Sequence, residues 1–160
     1  MNLLKKRLNS LKPRYLKSFE QLISRYAQFG GGSADDKFNK AKAFSNVYEF
    51  YVYAFFLGLA KDRALDIAPQ DEAKSFMEIE NWKPYEIAEQ LLICAIGESD
   101  FDLNAVENME KDEIYKETNK ISATIEKYAN GGFLYIQERL EESQDSVEDE
   151  LIFVNFLTDD

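Results

Sequence analysis

Leu4, Leu8, Leu11, Tyr15, Phe19, Leu22 and Tyr26 recur at spacings of three and four, which is the period of one helix face. The pattern predicts a basic amphipathic N-terminal helix over residues 1–29. Pro13 should kink or break it, because proline cannot donate to the helical ladder. Gly30, Gly31 and Gly32 stop it. Ser33 is placed to cap a second helix, with Asp35 and Asp36 in the first turn, where carboxylates suit the helix dipole. This second helix is predicted from about Ala34 to Lys61. It contains "NVYEFYVYAFFLGLAKDR" (46–63), the most apolar passage in the chain. Apolar residues surround most of the helix there, the mark of a central, buried element. Gly58 costs about 1 kcal/mol relative to Ala inside a helix, and predicts a close helix crossing. The uncharged run from Phe50 to Ala60 has eleven residues and is closed by Glu49 upstream and by Lys61, Asp62 and Arg63 downstream. A membrane span needs about 20, so no membrane insertion is expected.

Beyond Arg63 the chain loosens around Pro69 and Pro84, with one short helix expected near Asp71 to Met77. A third long helix starts at Pro84, a residue suited to a first turn, with Ile87, Leu91, Cys94 and Ala95 on one face. A short helix capped by Ser99 follows, with Asp102 three residues on. Ile114, Ile121, Ile125 and Tyr128 then share a face of another helix, which Asn130-Gly131-Gly132 should kink or end. A further helix would carry Phe133, Ile136, Gln137 and Leu140. The last stretch, "DSVEDELIFVNFLTDD", predicts an acidic and apolar C-terminal helix over 146–160, capped by Ser146 and striped by Val147, Leu151, Val154 and Leu157. It is also the one passage that reads as a strand. There is no fixed-period repeat. The pattern as a whole predicts an all-α fold, a compact bundle of roughly six helices around a central apolar one, in a single domain spanning 1–160.

Composition agrees with a soluble, core-forming chain. It has 160 residues, 45% hydrophobic and 31% charged. A chain of this size buries about 70% of its unfolded surface, so no staple is required. The single cysteine, Cys94, points to a reducing compartment, and the expected location is the cytoplasm. The basic start, "MNLLKKRLNSLKPR", lacks the apolar run and cleavage site of a secretory signal. Charge changes the picture more. The chain carries −11 overall, but residues 1–64 hold 12 Lys and Arg against 5 Asp and Glu, whereas residues 65–160 hold 7 against 25. Such asymmetry accompanies nucleic-acid binding or acidic interaction tails. The preferred reading is that a basic half packs beside an acidic half, because the whole molecule would repel a polyanion.

The residue inventory excludes much chemistry. There is no histidine, which removes Ser-His-Asp and Cys-His catalysis, the usual zinc sites and the helical Glu-x-x-His di-iron pattern. Cys94, between Ile93 and Ala95, reads as a buried structural thiol. Asp100 to Lys111 imitates a calcium loop at its first, third and fifth positions. It has Ala105 where the turn needs glycine and Lys111 where it needs a bidentate glutamate, so no metal is expected. Gly30 to Ser33 lacks the lysine of a phosphate loop, and Asp35 and Asp36 would repel an anion. Glu86 with Glu89, and Asp112 with Glu113, read as solvated faces. No catalytic, cofactor-binding or metal-binding residue is assigned, and no cofactor is expected. Two sets of contact residues remain. Lys5, Lys6, Arg7, Lys12 and Arg14 lie off the apolar stripe and are candidates for nucleic-acid phosphate contact. Leu151, Val154 and Leu157 are candidates for a partner protein, as anchors of a helix laid in a groove.

Two further stretches, "AFFLGLAKDRALDI" (54–67) and "YANGGFLYIQERLEE" (128–142), combine an aromatic-rich helix ending in Leu-Gly-Leu, a basic residue just after it, and a late Tyr-Ala-x-x-Gly before an acidic helix. In this the chain resembles the small accessory proteins encoded beside bacterial DNA phosphorothioation (Dnd) and related phage-defence genes, over about Ala43 to Leu140. The resemblance implies a place in a DNA-modification or defence system and brings no catalytic residue with it. The expected function is that of a non-catalytic helical accessory protein acting through contact with another protein. The alternatives are a nucleic-acid-associated protein using the basic first helix, and an acidic mimic of DNA.

Overall fold

Asn46 begins the central helix in extended conformation, and Glu49 reaches back to accept a hydrogen bond from the Ser45 N–H at 2.8 Å. This local closure, with the apolar run behind it, sets the helix start. The computed structural model describes residues 2–27, 43–142 and 152–158. Within them lie α1 (Asn2–Asn9), β1 (Arg14–Leu16), α2 (Glu20–Tyr26), α3 (Val47–Ala60), β2 (Ala73–Ser75), α4 (Tyr85–Glu98), α5 (Lys111–Glu142) and α6 (Ile152–Thr158), with short 3-10 turns before α2, before α4 and before α5. The fold is the all-α bundle expected, with one small two-stranded sheet added. None of the described helices is long and apolar enough to cross a membrane.

The core forms where α3 packs on α5. Phe50, Tyr51, Ala54, Phe55 and Leu57 of α3 are fully buried, and so are Ile121, Ile125, Phe133 and Ile136 of α5. Phe50 meets Phe133 edge-on with ring centres 5.2 Å apart and stacks on Phe44 at 4.5 Å. The central apolar helix is therefore the heart of the molecule.

α3 ends in a Schellman motif. Arg63 N–H reaches the Gly58 carbonyl at 2.8 Å and Asp62 N–H the Leu59 carbonyl at 3.2 Å, with Asp62 in the left-handed region at φ 52°. The chain then turns to lie along α5, where Leu65 N–H donates to the Lys127 carbonyl.

Several expected elements differ. The N-terminal helix is not continuous to residue 29. The break expected at Pro13 is present but wider, since the helix ends at Asn9 and Arg14–Leu16, just after the proline, forms strand β1 before α2 begins at Glu20. Proline removes a helical donor, and the sheet with β2 uses the freed backbone. β1 pairs antiparallel with β2 in the register Arg14 with Ser75, Tyr15 with Lys74 and Leu16 with Ala73. The short helix expected near Asp71 to Met77 is replaced by strand β2 at Ala73–Ser75, whereas the C-terminal helix is present over Ile152–Thr158 and the strand that the same passage also suggested is not formed there. Asn130-Gly131-Gly132 neither kinks nor ends its helix, since α5 runs unbroken over 32 residues. Both glycines are buried against backbone of α3 and the segment after it. The contact they permit outweighs their low helix propensity. On α4 the buried face is Ala88, Leu91, Leu92 and Ala95, whereas Ile87 is exposed and Cys94 half-buried. Asp102, not Ser99, caps the turn before α5, accepting from the Asn104 N–H at 2.9 Å. Ser33, Asp35, Asp36, Ser146, Val147 and the Gly30–Gly32 stop lie outside the described residues, as does the first part of the helix expected from Ala34.

Ion pairs join the basic and acidic halves. Lys12 meets Glu78, Arg14 meets Glu126, Lys17 meets Glu72 and Arg63 meets Glu138. Each joins a cation from residues 1–64 to a carboxylate from residues 65–160.

Candidate functional site

β1 has two edges, and only one is taken by β2. Tyr15 and Lys17 face β2, with Lys17 N–H donating to the Glu72 carbonyl. By strand alternation, Arg14 and Leu16 present their backbone groups to the opposite side. There, side chains of α5 and α3 replace a third strand. Asn130 Oδ1 accepts from Leu16 N–H at 2.8 Å, and its Nδ2 donates to the Arg14 carbonyl at 3.2 Å and the Glu126 carbonyl at 2.7 Å. Tyr51 Oη also donates to the Arg14 carbonyl, at 2.8 Å. Glu126 Oε2 accepts from both Arg14 N–H and Arg14 Nε at 2.9 Å, while Oε1 accepts from Nη2 at 3.2 Å.

These buried polar groups are satisfied and lock β1 on the helix. The hydrogen bond to Glu126 holds the Arg14 guanidinium above its ordinary pKa. Burial pushes the Tyr51 hydroxyl well above its own, with the Glu126 carboxylate adding to the effect. Sequence patterning missed Asn130, Glu126 and Tyr51. The signal was present, because Glu126 and Asn130 stand four apart beside the apolar stripe of α5, where a polar pair needs partners.

Between the end of α1, the loop to β1 and α5 lies a cleft of about 430 Å³. Arg7, Lys12 and Arg14 line it together with Ser10, Asn119 and Ser122. Three of the five basic candidates therefore converge. Arg7 Nη2 donates to Asn119 Oδ1 at 3.0 Å and its guanidinium sits 5.0 Å from the centre of the Tyr115 ring. Arg7 Nε is buried with no acceptor among the described residues. An unmade bond of this kind costs about 1–3 kcal/mol. Lys12 Nζ lies 3.4 Å from Glu78, whose own backbone N–H and Lys12 hold its carboxyl below the usual range. The other two candidates stand apart. Lys5 lines the groove on the α4 side of α1, and Lys6 is exposed.

A second feature is apolar. Ile93 is 62% exposed and Leu103 49% exposed. They edge a groove of about 240 Å³ between α1 and α4, floored by Leu4, Leu8, Leu92 and Ile96. Ile87, further along α4, edges another hollow of about 280 Å³ lined by Tyr48, Val52, Tyr53 and Trp82. Glu89 and Lys5 line the α1–α4 groove with Ile93 and Leu103, and Glu86, Glu98 and Asp100 are exposed elsewhere on α4 and just after it.

The C-terminal candidates divide. Leu151 lies outside the described residues. Val154 and Leu157 are exposed, while Ile152 and Phe156 of α6 are buried. Phe153 joins the rings of Tyr26, Phe44 and Phe50, its carbonyl accepting from the Tyr53 hydroxyl. α6 thus docks on its own domain through Ile152, Phe153 and Phe156.

Among the described residues no group of three His, Cys, Asp or Glu is arranged to hold a metal ion. No protein-family model, curated protein or solved structure matches the chain.

Proposed function

We propose that the protein is a non-catalytic interaction module whose α4 face receives another protein, acting as an accessory of a DNA-modification or phage-defence system. The last element rests on the resemblance over Ala43 to Leu140. The observation that carries the rest is Ile87, Ile93 and Leu103 standing in solvent beside two apolar grooves. Exposed aliphatic side chains next to concave apolar surface are the form of a protein-binding face. Glu89 in the groove, and the exposed Glu86 next to Ile87 in sequence, favour a cationic occupant by charge complementarity. That occupant is an amphipathic helix with an apolar stripe flanked by Lys and Arg, laid in the groove between α1 and α4. The chain's lack of histidine supports a role without acid–base catalysis near neutral pH.

Affinity capture from the native host tests the reading, with the wild type beside an Ile93→Asp, Leu103→Asp double variant. The expected result is a stoichiometric partner bearing a basic amphipathic helix. It is lost in the variant, whose melting temperature is unchanged, and it is released by moderate salt. Retention of the partner by the variant overturns the assignment of the face. A captured protein without such a helix overturns the assignment of the occupant.

A further inference from the structure

We propose that the cleft between α1, β1 and α5 binds the phosphate group of a small organic molecule, of nucleotide or sugar-phosphate size. Its volume of about 430 Å³ exceeds what a bare oxyanion fills, and falls in the range of small-molecule sites. Leu11 and Ala123 give part of the wall an apolar surface against which an organic body can lie.

The charge is favourable. Three cations, Arg7, Lys12 and Arg14, line the space with one carboxylate, Glu126, and Lys12 also meets Glu78 at 3.4 Å, which leaves the cluster with one positive charge in excess. Glu126 is already held by Arg14 through two guanidinium nitrogens. A guanidinium has five N–H donors, so Arg14 keeps three for another acceptor. Arg7 gives one Nη2 hydrogen to Asn119 and has further guanidinium N–H donors beyond that bond. Arginine forks match phosphate oxygens, and the hydroxyls of Ser10 and Ser122 stand in the same wall.

The donors are also pre-positioned. Arg14 sits on a strand locked by Asn130, and Arg7 is braced by Asn119 and the Tyr115 ring. Little ordering remains to be done when a ligand arrives. A nucleic-acid backbone is a poorer fit to the same cations. The net charge of −11 repels a long polyanion, whereas a small anion senses chiefly the local field. Lys5 moreover lines a groove on the α4 side of α1.

The test uses the full chain with AMP, ribose 5-phosphate and inorganic phosphate, in calorimetry and thermal melts at matched ionic strength, with adenosine as the phosphate-free control. AMP and ribose 5-phosphate are expected to bind and to raise the melting temperature, and adenosine to do neither. Arg7→Gln should weaken AMP at least tenfold. Ala123→Glu places a carboxylate at an exposed cleft position of α5, so the fold is kept. It too should weaken AMP at least tenfold while the ligand-free melt stays unchanged. Absence of binding at millimolar AMP and ribose 5-phosphate overturns the proposal, as does undiminished binding by Ala123→Glu or equal binding of adenosine. A duplex oligonucleotide that binds more tightly than AMP, and is lost in a Lys5→Gln, Lys6→Gln variant, also overturns it by moving the contact outside the cleft.

Discussion

Gly58 of α3 lies so close to the backbone carbonyl of Tyr128 on α5 that a methyl group on Gly58 would fall on that oxygen. The same holds for Gly132 against the Ala54 carbonyl and for Gly131 against the Arg63 carbonyl. The two helices meet backbone to backbone at Gly58 and Gly132, and Gly131 lets the segment just after α3 approach α5 in the same way. Backbone cannot swing aside as a side-chain tip can. Gly58→Ala, Gly131→Ala and Gly132→Ala should therefore each destabilise by about 1–3 kcal/mol or more, the usual cost of overpacking. Gly97, near the end of α4, has nothing within 4 Å of an added methyl group. There the helix propensity of alanine decides, and Gly97→Ala should stabilise by about 1 kcal/mol. Urea unfolding of the four variants checks both signs. Four changes of the same sign would refute the close crossing.

That crossing explains what the sequence disclosed and what it hid. Gly58, inside an apolar run, was readable as a contact point because it weakens a helix that otherwise has every reason to form. Gly131 and Gly132 carried the same information but stand beside Asn130 in a polar, turn-like triplet. Local rules read such a triplet as a stop. Only the facing backbone of Ala54 and Arg63 turns it into a packing device, and that backbone is distant in sequence. The sheet was hidden for a like reason. Arg14 to Leu16 carries the helical period of α1 onward, and becomes a strand because Glu126 and Asn130 supply the acceptors and donors of an absent neighbour. Helices and core were legible in periodicity. The convergence of Arg7, Lys12 and Arg14 on one cleft was not, since it depends on the break at Pro13.

Asn130 should be the residue on which β1 depends most. Asn130→Ala removes the acceptor of Leu16 N–H and a donor to the Arg14 carbonyl, in a place shielded from water. The expected loss is about 1–3 kcal/mol, from stranding the Leu16 N–H, since the Arg14 carbonyl keeps the Tyr51 hydroxyl. Hydrogen exchange gives the local signature. The Leu16 amide should exchange much faster in Asn130→Ala, while the Ile125 amide changes only with global stability. Unaltered protection at Leu16 would show that β1 is held by β2 alone.

Tyr51 and Tyr26 are both buried, and their hydroxyls differ in sign. Tyr51 Oη donates to the Arg14 carbonyl, whereas Tyr26 Oη has no partner among the described residues. Tyr51→Phe should cost about 0.5–1.5 kcal/mol, and Tyr26→Phe should be neutral or stabilising. The pH dependence follows from the same burial. The Tyr51 hydroxyl titrates well above its ordinary value of 10.0 in the folded chain, because burial and the Glu126 carboxylate disfavour the phenolate. A raised folded pKa contributes stability that is fully present below the unfolded value and is lost as pH rises towards the folded one. Stability should therefore fall above about pH 10, the ordinary tyrosine value. That fall should be shallower in Tyr51→Phe. Parallel alkaline curves for the two proteins would remove Tyr51 as the cause.

The last helix offers a test on two faces of one short element. Ile152 and Phe156 are buried, and Phe153 packs edge-on against Tyr26, Phe44, Phe50 and Tyr53. Phe156 also meets the Tyr135 ring at 6.1 Å on α5. Val154 and Leu157, on the other side, are 56% and 46% exposed. A helix of seven residues has little stability of its own, so it must borrow it from this packing. Phe153→Ala and Phe156→Ala should each cost about 2–5 kcal/mol, with Phe156 nearer the top of the range because it is the more buried. Val154→Ser and Leu157→Ser should stay within about 0.5 kcal/mol, as surface changes do. Hydrogen exchange on the isolated chain should find slow amides at Phe156 and Leu157, and their protection should vanish in Phe156→Ala without loss of protection in α3. If the serine variants proved as costly as the alanine ones, α6 would be held by both faces and Val154 and Leu157 would not be free to meet a partner. If none of the four mattered, the helix would not close the core.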